Sequence, residues 1–314
     1  MYRLVLSGLM NLMFIFAISN AHAHQLKAET LQLASVNAAA AYASSNELVV
    51  DKHADRIVPI ASITKLMTAL VVMESGEPLN EWLAFRERHI PASANAYTRI
   101  RVGSEMRRSN MLRIALMSSE NFAAYTLARH HPGGYDAFVA AMNEKARELG
   151  MNRTSFVDPT GLSVENTSTA ADLIKLVNAA AKHPQIGEYS TTRYYTGQFR
   201  QPRYSLTFGN TNVLVHRDSW GVGLSKTGYL SEAGRCLVMM SNMNGKQVVT
   251  VLLDSLGTRS PMGDAGRIRR WLDTGAPGQV AAAARAYEQE KNAAYTSDRA
   301  GEVASGEQAT AGVN

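Results

Sequence analysis

Two residue types that together can perform nucleophilic catalysis stand three positions apart near the start of the chain. Ser62 and Lys65 bound the segment Ser62-Ile63-Thr64-Lys65, which leads into an apolar run that ends at Met73. The run contains good helix formers and no Gly or Pro, so it predicts a buried helix with Ser62 in its first turn. Residues three apart on a helix are neighbours, so the Lys65 amine can reach the Ser62 hydroxyl.

This pairing makes chemical sense because a serine hydroxyl is a poor nucleophile until a base removes its proton. A solvated lysine, with a pKa of about 10.4, is protonated at neutral pH and cannot act as that base. Burial or a second cation can lower a lysine pKa to roughly 7–8. A Ser-x-x-Lys pair also arises by chance in a chain of 314 residues. The pair by itself therefore makes Ser62 and Lys65 candidate catalytic residues and no more.

A second polar element, Ser119-Glu120-Asn121, stands at a predicted break between two helices. Side chains at such a break can project into a cleft. There Ser119 could pass a proton to a leaving amine, and the Asn121 amide could hydrogen-bond both the N–H and the C=O of a peptide. The ordinary alternative is that Ser119 simply caps the following helix.

A third element, Lys226-Thr227-Gly228, lies in a predicted strand. A lysine and a hydroxyl there offer a cationic site for a carboxylate, and Gly228 would let a substrate backbone lie close to the strand. The ordinary alternative is an edge strand that carries a solvated lysine.

The elements around these residues place strands at both ends of the domain and helices in the middle. Strands are expected at 36–42, 47–50, 222–230, 236–242 and 248–254, and helices at 106–117, 121–128, 135–149 and 264–272. Such a chain can pair its first and last strands in one sheet. The sequence therefore predicts an α+β fold: an antiparallel sheet of N- and C-terminal strands, flanked by helices, with an all-helical lobe.

The two ends of the chain differ from this domain, which we place at 24–275. Arg3 is followed by an apolar run and then by Ala21-His22-Ala23, the pattern of a secretory signal peptide over 1–23. We therefore expect export to the periplasm and a soluble or loosely envelope-associated protein with no integral membrane segment after cleavage. Residues 276–314 are rich in Ala, Gly, Glu and Gln and lack an apolar stripe, which predicts a disordered tail.

Composition excludes several classes of protein. The hydrophobic content of 46% is that of a globular protein, and the net charge of +5 is only mildly basic. With no clustered basic tract, we expect no nucleic-acid partner. The single cysteine, Cys236, excludes an intramolecular disulfide and is expected to be a buried apolar side chain. We expect no metal site and no cofactor.

In their fixed order the three elements resemble the S-x-x-K, S-D-N and K-T-G signature of penicillin-binding proteins and class A β-lactamases. The resemblance runs from about Val36 to Leu272 and is greatest to the low-molecular-mass penicillin-binding proteins, in the D-alanyl-D-alanine endopeptidase branch. Glu120 stands where others often have Asp. The supporting segments are 59–68, 116–121, 158–163, 224–229 and 263–265.

The resemblance implies a catalytic role for three residues. Ser62 would be the acylated nucleophile, Lys65 its base, and Ser119 the shuttle that carries the proton to the leaving group. The backbone N–H groups of Ser62 and Tyr229 would form an oxyanion hole.

The resemblance also implies a substrate-binding set, made of Asn121, Lys226, Thr227, Gly228 and Tyr229. Asn121 would orient the peptide, and Thr227 would bind the terminal carboxylate of the substrate. Lys226 would supply positive potential and, as a like charge, would lower the pKa of Lys65.

By this resemblance the protein is a serine DD-endopeptidase that hydrolyses D-alanyl cross-links between peptidoglycan stem peptides, with β-lactams as covalent inhibitors. One alternative is a DD-carboxypeptidase of the same family, although those enzymes usually continue into a second β-rich domain, which the sequence lacks after about Gly275. Another is a β-lactamase, although the E-x-x-x-N spacing occurs between Ser119 and Lys226 only at Glu148 to Asn152, across the end of a predicted helix and not in a loop of its own. The last is a non-catalytic penicillin sensor.

Overall fold

A computed structural model of the protein describes residues 31–90, 96–276 and 278–311, with the backbone alone for 298–311. The predicted signal peptide, 1–23, lies outside the described residues. The strands are β1 (Ser35–Tyr42), β2 (Leu48–Lys52), β3 (Val58–Pro59), β4 (Trp82–Ala84), β5 (Glu105–Arg107), β6 (Thr167–Ser168), β7 (Tyr194–Phe199), β8 (Tyr204–Gly209), β9 (Val222–Leu230), β10 (Gly234–Met243) and β11 (Lys246–Ser255). The helices are α1 (Lys65–Glu74), α2 (Arg108–Met117), α3 (Asn121–Arg129), α4 (Gly134–Glu148), α5 (Ala170–Ala180), α6 (Pro184–Ser190), α7 (Ser260–Thr274) and α8 (Ala282–Ala311).

The main sheet has five strands in the order β2-β1-β11-β10-β9. All four neighbouring pairs are antiparallel, and Ala39 of β1 lies opposite Val251 of β11. The predicted pairing of the first and last strands, and with it the α+β fold, is therefore confirmed. Asn244 and Gly245, with φ of +53° and +75°, make the tight turn between β10 and β11 that their sequence predicts.

Side chains on the two faces of the sheet enter two separate apolar clusters. Along β1, Ala38 and Ala40 belong to a cluster with Trp271 of α7, whereas Ala39 and Ala41 belong to the larger cluster shared with the helical lobe. Successive residues of a strand point to opposite faces, so both faces of β1 are buried. A strand that is buried on both faces is apolar along most of its length and does not alternate with polar residues, which explains the alanine-rich sequence of β1.

The helical lobe is built around α1, which packs against α2, α3, α4 and α5. Eight of its ten residues, including Lys65, are buried, as expected for a helix that is apolar on most faces. The start of α5 is capped by the Thr169 hydroxyl, which accepts a hydrogen bond from the Asp172 N–H at 3.0 Å. Among the described helices, none combines the length and the apolar character that crossing a membrane requires.

The C-terminal segment corrects one expectation, because 282–311 forms a helix where 276–314 was predicted to be disordered. The first turns of α8 dock on the sheet: the Tyr287 hydroxyl donates to Asp254 Oδ1 at 2.5 Å, and Lys291 pairs with the same carboxylate at 3.2 Å. These contacts are polar and aromatic. A search for an apolar stripe therefore could not detect them.

Candidate active site

Ser62 lies in a short 3₁₀ turn, Ala61–Thr64, that leads directly into α1 at Lys65. The structure thus confirms that Ser62 stands at the helix start, in a tighter turn than an α-helical one. Ala61, just before it, has a left-handed φ of +47°. This conformation costs about 1–3 kcal/mol for a residue with a Cβ atom, and it persists only where the surroundings enforce it.

Lys65 brings its amine to three oxygen atoms at once. Its Nζ lies 2.9 Å from Ser62 Oγ, 2.7 Å from Asn121 Oδ1 and 2.6 Å from the Thr160 carbonyl oxygen. A neutral amine has two N–H donors and one lone pair. Because the amide and carbonyl oxygens can only accept, both N–H groups are used on them, and the lone pair is left for the Ser62 hydroxyl.

The environment of Lys65 favours this neutral form. Its side chain is buried, and burial lowers the pKa of the amine to about 7. The Arg88 guanidinium lowers this pKa further, while the carboxylates of Asp158 and Glu120 oppose the shift. At neutral pH a substantial fraction of Lys65 is therefore available as a base.

Lys226 is equally buried and lies near enough to Lys65 for their charges to interact. Burial is the main cause that lowers the pKa of Lys226, and the Lys65 ammonium lowers it further. From the sequence, burial or a second cation was expected to lower the pKa of Lys65, with Lys226 as that cation. The structure assigns that lowering chiefly to burial, because α1 is enclosed by the helices α2, α3, α4 and α5.

Ser119 stands at the corner between α2 and α3 with a left-handed φ of +62°. The Glu120 carboxylate, not Ser119, caps α3 by accepting from the Phe122 N–H at 3.1 Å. The ordinary interpretation of Ser119 as a cap is therefore wrong. Instead, its hydroxyl accepts a hydrogen bond from Lys226 Nζ at 2.9 Å.

The strand that carries Lys226-Thr227-Gly228 is indeed an edge strand, β9, yet Lys226 is only 1% exposed. The alternative of a solvated lysine is therefore wrong. Thr227 Oγ1 lies 2.6 Å from Thr211 Oγ1. A Cβ atom added to Gly228 would lie 3.2 Å from the backbone nitrogen of Ser62, so Gly228 permits β9 to approach the nucleophile turn closely.

The predicted residues converge on one place. Ser62, Ser119, Thr227, Gly228 and Tyr229 line a cleft of about 240 Å³. The other three, Asn121, Lys65 and Lys226, are joined to this cleft by the hydrogen bonds described above. The Tyr229 ring, about half exposed, lies under the Arg235 guanidinium at 3.7 Å.

The segment 158–163 was expected to be a loop and counted toward the resemblance, but it was assigned no role in the site. The Asp158 carboxylate accepts from the N–H groups of Thr160, Gly161 and Ser163 and so shapes the loop. The loop carries the carbonyl that holds Lys65. Its signal was an Asp directly before Pro-Thr-Gly, which is typical of a turn closed by an aspartate side chain.

Gly161 connects this loop to the nucleophile. It has a φ of +76°, and a Cβ atom placed there would lie 2.0 Å from the carbonyl oxygen of Ala61. The loop therefore packs directly on the peptide that precedes Ser62. Thr211 was also missed, because it follows β8 in a stretch for which no element was predicted.

The site offers no obvious place for a metal. In the part of the chain that the structure describes, no three His, Cys, Asp or Glu side chains are grouped so that they could hold a metal ion. Cys236 lines the cleft from β10 but is 2% exposed, and burial raises its pKa to about 12, so it is present as the thiol.

The chain is similar over most of its length to proteins of known name. It is 48% identical over 262 residues to the D-alanyl-D-alanine endopeptidase of Escherichia coli K12, covering 83% of this chain and 84% of that protein. It is 46% identical over 256 residues to the D-alanyl-D-alanine endopeptidase of Pseudomonas aeruginosa, covering 82% and 83%.

A solved structure agrees with these sequences. The Streptomyces K15 DD-transpeptidase superposes with a TM-score of 0.70 at 26% identity, over 76% of this chain and 97% of that one. A family model, Peptidase_S11, with the description D-alanyl-D-alanine carboxypeptidase, matches residues 23–257. The chain therefore belongs to the Peptidase_S11 family of serine DD-peptidases.

Proposed function

We propose that the protein is a periplasmic DD-endopeptidase that hydrolyses D-alanyl cross-links between peptidoglycan stem peptides. The observation that carries this proposal is the Lys65 amine, which is buried, has a pKa of about 7, and lies 2.9 Å from Ser62 Oγ with its other contacts made to acceptors. The names of the two relatives above 45% identity support the endopeptidase activity over the carboxypeptidase one.

In the first half of the reaction, Ser62 Oγ attacks the carbonyl carbon of the D-alanyl bond while its proton passes to Lys65 Nζ. The negative charge that develops on the carbonyl oxygen is received by the N–H groups of Ser62 and Tyr229. Collapse of this intermediate breaks the C–N bond and leaves an acyl ester on Ser62. Ser119, held by Lys226 at 2.9 Å, passes a proton to the leaving amine and takes one back from the Lys65 ammonium, which leaves Lys65 neutral for the second half.

In the second half, a water molecule attacks the ester carbonyl, and its proton passes to Lys65. The ester C–O bond then breaks, Ser62 regains a proton, and the peptide leaves with a carboxylate. Asn121 orients the acyl portion through its amide, whose oxygen is fixed by Lys65 at 2.7 Å. Thr227 binds the carboxylate on the leaving side. β-Lactams acylate Ser62 in the same way because their strained amide is attacked like the peptide bond.

The proposed localisation depends on the N-terminal pattern alone. An exported enzyme meets its substrate in the cell envelope, and the 1–23 segment has the charge, length and A-x-A site of an export signal. Fractionation of cells that express the full chain tests this: periplasmic recovery of a protein shortened by about 23 residues is expected, and retention of full-length protein in the cytoplasm would contradict it.

The activity is tested by incubating the purified protein with cross-linked muropeptide dimers and, separately, with pentapeptide monomers. We expect monomers to be released from the dimers while the pentapeptide is left uncut. Ser62→Ala is the control and should abolish both cleavage and labelling by a fluorescent penicillin. Release of free D-alanine with dimers left intact would assign the carboxypeptidase activity instead.

Two other outcomes address the remaining alternatives. Rapid, multiple-turnover hydrolysis of nitrocefin would indicate a β-lactamase, whereas a DD-peptidase is expected to give one slow turnover per Ser62. A protein that neither labels with penicillin nor cuts either muropeptide would be a non-catalytic member of the fold.

A further inference from the structure

A second, larger groove lies beside the catalytic cleft. It runs between α7 and the two 3₁₀ turns Val213–His216 and Asp218–Trp220, and its volume is about 810 Å³. Gly263 and Gly266, three apart on α7, contribute no side chains to it, and a Cβ atom at Gly266 would meet no atom within 4 Å. The groove is therefore open along this face of the helix, and it is large enough for several residues of a peptide.

The lining of this groove is strongly basic. Of the twelve described residues that line it, four are arginines and none is Asp or Glu. The Arg267 guanidinium is tied to Asp264 at 2.7 Å. The other three, Arg217, Arg259 and Arg270, make no side-chain hydrogen bond or ion pair with any described residue. Guanidinium groups concentrated in a concave surface, with low-dielectric walls, attract carboxylates.

The groove is continuous with the catalytic cleft. Met262 lines both, and Thr258, in the cleft, is followed in the chain by Arg259, in the groove. The connection lies at one particular end of the cleft: Val213 of the groove is two residues from Thr211, whose hydroxyl bonds Thr227 at 2.6 Å. Thr227 is the residue to which the proposed function assigns the carboxylate on the leaving side of the scissile bond.

We propose that this arginine-lined groove binds the acidic peptide that leaves when a cross-link is cut, through carboxylates that lie beyond the one held by Thr227. The proposal rests on the proposed endopeptidase function. A carboxypeptidase releases a single amino acid, whose one carboxylate Thr227 already binds. Only a leaving group that continues as a peptide can reach Arg217 and Arg270, so the groove selects cross-linked over uncross-linked substrates.

The test compares cleavage of muropeptide dimers with acylation by a fluorescent penicillin, which lacks an extended leaving peptide, in the double variant Arg217→Ala/Arg270→Ala. We expect the ratio of kcat/KM for dimers to the penicillin acylation rate to fall about tenfold, as for the loss of two partly exposed charge-assisted contacts. The matched control is Arg147→Ala/Arg203→Ala, which removes two exposed arginines elsewhere and should leave the ratio unchanged.

A second variant separates charge from shape. Arg217→Lys/Arg270→Lys keeps both charges and should restore part of the ratio, because lysine binds carboxylates without the planar fork. If the ratio of kcat/KM for dimers to the penicillin acylation rate is unchanged in the alanine double variant, the proposal is overturned. This holds whether the groove binds an acidic protein instead or has no ligand. Failure of the proposed function itself has a different signature, namely wild-type protein that labels with penicillin but leaves dimers uncut.

Discussion

Replacement of Gly161 by alanine tests whether the 158–163 loop sets the position of the nucleophile. Gly161 combines a left-handed φ of +76° with a backbone contact: a Cβ atom there would lie 2.0 Å from the Ala61 carbonyl oxygen and 2.9 Å from the Ser62 nitrogen. Gly150, at the end of α4, provides a matched control. Its φ is +67°, but a Cβ atom there would meet nothing within 4 Å.

Both substitutions place an alanine in a left-handed conformation, and only Gly161→Ala also creates a clash with the backbone. A left-handed conformation costs an alanine about 1–2 kcal/mol. For a protein of this size that lowers Tm by about 2–8 °C. Only Gly161→Ala also forces the Ala61–Ser62 peptide away, by about 1 Å, since Cβ contacts below 3.0 Å essentially do not occur. A misplacement of about 1 Å in reacting groups can reduce the rate about 100-fold.

The assay is the second-order rate of acylation by a fluorescent penicillin, measured together with thermal unfolding. Gly150→Ala should lose stability and keep its acylation rate, whereas Gly161→Ala should lose stability and acylate about 100-fold more slowly. If both variants acylate at the wild-type rate, then the loop does not position Ser62 and the reasoning is refuted.

Three further predictions follow from named contacts. Because Lys65 must be neutral to act as a base and its pKa is about 7, acylation should rise about tenfold from pH 6 to pH 8 and then level off. Asp158→Asn removes a carboxylate that raises the pKa of Lys65, so the acid limb should move to lower pH. Tyr287→Phe removes the donor to the buried Asp254 carboxylate and should destabilise the fold by about 1–3 kcal/mol in urea unfolding, with acylation retained.

Each of these predictions can be contradicted by a single result. An acid limb near pH 10 would mean that burial does not lower the pKa of Lys65, so that little of it is neutral at pH 7. An acid limb that rises in Asp158→Asn would mean that the carboxylate does not act on Lys65 through its charge. Equal urea midpoints for Tyr287→Phe and wild-type protein would mean that α8 does not contribute to the stability of the sheet.

Much of the fold follows from local patterns. The strand pattern of 222–230, the Asn244-Gly245 turn and the helix patterns of 106–117 and 121–128 lie in contiguous residues, and the structure has elements at these places. The contact between Ser62 and Lys65 is also local, because a separation of three residues on a helical turn brings side chains together whatever surrounds them. Docking of α8 was not predictable in this way, since Tyr287 finds its partner, Asp254, 33 residues away.

By itself, therefore, the sequence determined which residues could react and the order of the strands and helices that carry them, because hydrophobic period and residue spacing act over a few positions. The tertiary structure decided how those residues behave. Ser119 meets Lys226 across 107 residues of chain, and the Thr160 carbonyl meets Lys65 across 95. Burial, which lowers the pKa of both lysines, is a property of everything packed around them, and no stretch of neighbouring residues encodes it.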